Sequence, residues 1–94
     1  MKHYIIAKFK DGTDHRSFIS DIREIFDKTL EIPGIHQVLV SPNCIDRPNR
    51  YDIMIEITMD KEALTLYDSS APHHEWKDKY GDLLESKAIF DRED

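Results

Sequence analysis

Apolar and polar residues alternate with a period of two over residues 3–10, which predicts a strand with His3, Ile5, Ala7 and Phe9 on one face and Tyr4, Ile6, Lys8 and Lys10 on the other. Asp11-Gly12 ends the alternation. The period then changes to that of a helix. Phe18, Ile19, Ile22, Ile25, Phe26 and Leu30 fall on one stripe, with Thr13 or Asp14 placed to cap its start and Pro33-Gly34 to stop it. Glu24 and Lys28 are placed for an ion pair along this helix. Residues 35–41 predict a second strand, with His36, Val38 and Val40 opposed to Ile35, Gln37 and Leu39. A polar loop from Pro42 to Arg50 leads to a third strand at 51–59, whose Tyr51, Ile53, Ile55, Ile57 and Met59 form a nearly all-apolar face. A short helix from Lys61 to Asp68 carries Ala63, Leu64 and Tyr67. Ser69-Ser70-Ala71 breaks it. Pro72 suits the first turn of another helix, which extends from His73 to about Leu84. Residues 86–91 close the pattern as a fourth strand.

The order strand, helix, strand, strand, helix, strand predicts an α+β, ferredoxin-like βαββαβ fold with a four-stranded antiparallel sheet and the helices on one face. The more apolar strand faces belong under the helices. Tyr4, Ile6, Ile35, Leu39, Met54 and Phe90 would then lie on the opposite face, among charges. Such a face predicts a homodimer closed sheet to sheet into an alpha/beta barrel.

Composition sharpens that expectation. The chain has 94 residues, suited to a single domain over 1–94, with 34% charged and only 39% hydrophobic residues. A core this lightly supplied is marginal by itself, which is a second reason to expect a second copy. The 13 Lys and Arg against 19 Asp and Glu give a net charge of -6, a poor basis for binding nucleic acid or an anionic membrane surface. No stretch approaches the ~20 apolar residues of a membrane helix, and the opening residues run directly into a strand pattern. Cys44 is the only cysteine, so no intrachain disulfide forms and a reducing, cytoplasmic compartment is expected.

No phosphate-binding glycine loop, nucleophile elbow or paired-cysteine motif is present. His74-Glu75-x-x-Asp78 departs from the zinc-binding H-E-x-x-H pattern and reads as an exposed polar face, so no metal ligand is assigned. Tyr67, His73 and Trp76 bring a phenol, an imidazole and an indole together around a helix break. An imidazole exchanges a proton near neutral pH, a phenol holds a substrate oxygen, and an indole floors an apolar pocket. A helix junction with a structural His and core aromatics is the alternative reading of the same residues.

Several segments in order carry a family resemblance: Lys2-His3-Tyr4-Ile5-Ile6-Ala7-Lys8-Phe9-Lys10, Ile32-Pro33-Gly34-Ile35, Tyr51-Asp52-Ile53-Met54-Ile55-Glu56, Ala63-Leu64-x-x-Tyr67, His73 with Trp76, and Ile89-Phe90-Asp91. Over essentially its whole length the chain resembles the stress-responsive alpha/beta barrel domain proteins, called Dabb. The resemblance implies the dimeric alpha/beta barrel fold. Members of one branch are plant polyketide cyclases that perform an aldol-type closure without metal or cofactor. By that resemblance His73 is the acid/base group, Tyr67 its hydrogen-bonding partner and His3 a group at the pocket rim. The pocket wall is expected from Ile5, Ile25, Val38, Ile53, Ile55, Trp76 and Ile89. Two departures stand out. The family's usual HPxH reads Ser70-Ala71-Pro72-His73, and a His common on the third strand is Ile53. The expected function is binding of an apolar small molecule between sheet and helices, with cofactor-free acid/base chemistry at His73 and Tyr67. A non-catalytic, stress-associated dimeric scaffold is the alternative.

Overall fold

The computed structural model describes residues 1–93. Four strands, β1 (Lys2–Phe9), β2 (Ile35–Pro42), β3 (Ile53–Met59) and β4 (Leu84–Arg92), form one antiparallel sheet in the order β2-β3-β1-β4. The helices are α1 (Ile19–Asp27), α2 (Ala63–Asp68) and α3 (Ala71–Tyr80). Short 3-10 turns flank them at His15–Phe18, Lys28–Glu31 and Gly81–Leu83. This is the expected ferredoxin-like arrangement. Among the described residues no helix is long and apolar enough to cross a membrane.

Register explains which face is buried. His3, Ile5 and Ala7 lie opposite Ile57, Ile55 and Ile53, so one face of the two central strands is apolar throughout. That face meets Ile22, Ile25 and Phe26 of α1, Tyr67 of α2 and Trp76 and Tyr80 of α3 in one buried cluster. On the opposite face Leu39, Met54 and Phe90 are exposed, Phe90 at 62%. Tyr4 and Ile6 there are half-buried.

Several local expectations are corrected. Ile35 belongs to the core, not to the uncovered face. The β2–β3 ladder shifts between Ile35 and Gln37, which sets Ile35 opposite Met59 and reverses its facing relative to strict alternation. Leu30 is 45% exposed while Thr29 is fully buried, its hydroxyl donating to the Phe26 carbonyl at 2.6 Å. The cause is the tightening of the chain into a 3-10 turn at Lys28–Glu31, which rotates the stripe away from the sheet. The first helical segment starts after Asp14, whose side chain makes no capping bond; its carbonyl instead accepts from the Ser17 hydroxyl at 2.7 Å. Lys28 reaches across to Glu75 on α3 at 3.0 Å in place of the expected Glu24 pair. The last helix stops at Tyr80, and β4 begins at Leu84 and continues to Arg92. Tyr51 precedes β3 and is exposed.

Candidate functional site

The break between α2 and α3 is built by Ser70. Its hydroxyl donates to the Tyr67 carbonyl at 2.7 Å and accepts from the His73 backbone N–H at 3.3 Å. One side chain thus closes the end of α2 and caps the start of α3, with Pro72 in the first turn, where no N–H is needed. This junction sets the Tyr67 and His73 rings 4.8 Å apart, tilted by 45°.

His73 donates from Nδ1 to the Asp68 carbonyl at 2.8 Å, since a carbonyl only accepts. The proton of the neutral ring is therefore on Nδ1, and Nε2 carries the lone pair. Burial holds the imidazole below its ordinary pKa; the Asp68 carbonyl pulls the other way and the Lys77 charge adds to the lowering. Near neutral pH this is an oriented base.

Tyr67 is 1% exposed, and its hydroxyl has no hydrogen-bond partner among the described residues. Burial, with the Asp68 charge second, pushes its phenol well above the usual tyrosine range. It stays protonated and can act only as a neutral donor or acceptor.

His3 flanks Tyr67 from the sheet, with ring centroids 5.4 Å apart. It is buried, and its Nδ1 lies 2.5 Å from an Asp91 carboxylate oxygen. The β1–β4 register places these two residues directly opposite each other. Asp91 thereby fixes the ring of His3, as a carboxylate does in many acid/base sites. The resemblance drew attention to Ile89-Phe90-Asp91 as a motif, but the Asp91–His3 pairing had no local signal, because it joins the two ends of the chain.

The remaining expected residues divide. Ile5, Ile25, Ile53, Ile55 and Trp76 are buried together in the core, and Val38 packs half-buried against it. The Trp76 indole meets Phe26 at 5.4 Å and Tyr80 at 5.7 Å between ring centroids. Ile89 lies opposite Ile5 on the helix side of the sheet but is 49% exposed, because β4 is an edge strand the helix layer does not cover. The structure thus gathers Tyr67, His73 and His3, adds Asp91, and leaves Ile89 at the rim.

Two mainly apolar clefts lie apart from this cluster, since neither is lined by Tyr67, His73 or His3. A mainly apolar cleft of about 490 Å³ runs along Ile32, Pro33, Leu66 and the Ser70-Ala71-Pro72 junction, with Lys28 and Glu31 beside it. A smaller cleft of about 310 Å³ lies at Ile6, Cys44, Tyr51 and Met54 on the uncovered sheet face. Among the described residues no group of His, Cys, Asp and Glu side chains is gathered closely enough to hold a metal ion.

The family model described as the Stress responsive A/B Barrel Domain (Dabb) matches residues 1–94. No curated protein matches the chain. Among solved structures, a dimeric protein of unknown function with a ferredoxin-like fold from Bacteroides fragilis superposes with a TM-score of 0.81 at 17% identity, covering 99% of this chain and 94% of its own. A dimeric ferredoxin-like protein of unknown function from a Jannaschia species gives 0.81 at 21% identity, covering 99% and 97%. A hydroxynitrile lyase from Passiflora edulis gives 0.72 at 15% identity, covering 95% and 87%.

Proposed function

The chain belongs to the stress responsive A/B barrel domain family, and on that premise we propose that it is a homodimer that binds a small, mostly apolar molecule at Tyr67, His73 and His3 and performs cofactor-free acid/base chemistry there. The observation that carries this reading is the buried, unpartnered hydroxyl of Tyr67, whose ring contacts two imidazoles. A buried hydroxyl without a partner costs about 1–3 kcal/mol, a cost that a ligand oxygen would remove. Tyr67 then donates to a carbonyl or hydroxyl oxygen of the ligand. Nε2 of His73 takes a proton from an adjacent carbon or oxygen and returns it later. His3, held by Asp91, stands as a second proton-handling group on the sheet side. Aldol-type or cyclase-like closure is one reaction such an arrangement serves. A hydroxynitrile lyase shares this fold, so the fold is compatible with catalysis.

Dimerisation rests on Leu39, Met54 and Phe90, apolar and exposed on the face away from the helices, and on the dimers formed by the Bacteroides and Jannaschia proteins. The close packing of Tyr67, Trp76 and the core isoleucines favours the second reading, a non-catalytic dimeric scaffold. Amide NMR titration with a panel of small apolar ketones and hydroxyketones separates the two. Saturable shifts over residues 67–76, lost in both Tyr67→Phe and His73→Gln, support the site. Unchanged binding in both variants, or a stable dimer that binds none of the panel, supports the scaffold.

A further inference from the structure

A second group of charges stands at the other end of β1, away from Tyr67. A polar cleft of about 590 Å³ opens where β1 ends, the Asp11-Gly12 turn begins and the loop before β3 comes across. We propose that this cleft binds a compact oxyanion, the phosphate group of a small phosphorylated molecule.

The argument comes from which charges are already satisfied. Lys8 and Arg50 are the half-buried cations of the cleft. The Lys8 ammonium donates to the carbonyls of Pro48 at 2.8 Å and Arg50 at 3.5 Å, which are neutral groups. The Arg50 guanidinium donates to the neutral Asn49 side chain at 2.7 Å. Neither has a carboxylate partner among the described residues, and neither do the exposed Lys10 and Arg47 beside them. Elsewhere among the described residues Lys28, Lys61 and Lys79 are each paired with a carboxylate, whereas Lys2, Arg16, Arg23, Lys77 and Lys87 are not; what sets the cleft apart is that four such cations share it. Four carboxylates also line the cleft, but among the described residues none is within ion-pair distance of these cations, and half-buried cations without a direct carboxylate contact are ones a compact anion can bind.

The half-buried carboxylate there, Asp52, does not fill that role. One of its oxygens accepts from the Phe9 backbone N–H at 2.8 Å, and the other lies 3.8 Å from Nε2 of His15. His15 is itself held flat on the Phe9 ring, 5.7 Å away and within 9° of parallel. Asp52 is therefore turned toward the strand and the imidazole. The other acids of the cleft, Asp11, Asp46 and Glu85, are exposed.

Those exposed acids narrow the ligand. They repel an extended polyanion and tolerate a single compact anionic group on a neutral or cationic remainder. A phosphate monoester carries about −1.5 to −2 charges at neutral pH, which matches two half-buried cations better than a carboxylate does. The turn leaves room for it: a Cβ placed on Gly12 would meet no atom within 4 Å.

The test is amide NMR titration of the full chain with inorganic phosphate, against acetate and chloride at matched ionic strength. The expected result is saturable shifts over residues 8–13 and 46–52 with phosphate, with Tyr67 and His73 unmoved. Arg50→Gln and Lys10→Gln should each weaken phosphate binding roughly tenfold, while Asp46→Asn should strengthen it. Arg50 and Lys10 make no side-chain bond that holds the backbone together, so both variants should keep the wild-type melting temperature. Equal shifts with chloride, acetate binding as tightly as phosphate, or full affinity in both cation variants would each overturn the proposal.

Discussion

Tyr67 and His73 lie ring to ring at 4.8 Å, yet the buried Tyr67 hydroxyl bonds to neither of its imidazole neighbours. His73 spends its Nδ1 proton on the Asp68 carbonyl. His3 is held by Asp91. Each imidazole is thus fixed by a group outside the cluster, and the phenol hydroxyl is left without a bond among the described residues.

The first prediction follows from that vacancy. Tyr67→Phe keeps the ring and removes the unpartnered hydroxyl, so it should raise stability by about 1 kcal/mol or more. The same change should abolish ligand binding. Thermal melts paired with the ketone titration check both halves. A lower melting temperature would mean that the hydroxyl already has a partner in solution.

The His73 imidazole supplies a pH dependence. Its folded pKa lies below the ordinary value of 6.5 because burial disfavours the charged ring. Folding therefore favours the neutral form. The contribution is complete above the unfolded pKa and is lost as pH falls through the lower folded value. The stability difference between wild type and His73→Gln should shrink on acidification below about pH 6.5. An imidazole proton titration that places His73 at or above 6.5 would contradict this.

Exposed apolar residues on the open face predict the assembly. Phe90→Asp and Met54→Asp should each weaken the dimer by about 2 kcal/mol or more, as at the centre of an interface. Sedimentation equilibrium reads this directly. A wild-type protein that is monomeric at micromolar concentration would remove the basis for the barrel.

Gly34 offers a backbone test. Its φ is +90°, and an added Cβ would stand 3.0 Å from the Ala63 Cβ and 3.4 Å from an Asp60 carboxylate oxygen. Gly34→Ala should cost about 1–3 kcal/mol from the left-handed conformation alone, with the Ala63 contact adding to it. Gly12 has a similar φ of +85° but open space around it. Gly12→Ala should therefore be the milder of the two in denaturant melts.

The alternation at His3, Ile5, Ala7 and Phe9 and at Ile53, Ile55, Ile57 and Met59 was legible residue by residue, since a strand face is a local property. Ile35 and Leu30 were not. A ladder shift depends on the partner strand, and a 3-10 turn changes the angle per residue without changing the composition. The site divides in the same way. Tyr67 and His73 are close in sequence, and their approach was expected; Trp76, expected beside them, packs on Phe26 and Tyr80. Ser70 as the clamp between the helices was read only as a helix breaker, because its two bonds exist only once both helices are placed.

By itself the sequence determined the order of the elements, the two apolar sheet faces and the residues around the α2–α3 break, because each of these follows from side-chain spacing within one segment. Tertiary structure decided that Asp91 holds His3 across 88 residues, and that among the described residues the Tyr67 hydroxyl has no partner and the half-buried Lys8 and Arg50 have no direct carboxylate contact. Hydrogen-bond partners and desolvation are set by register and packing between distant segments, which no local pattern encodes.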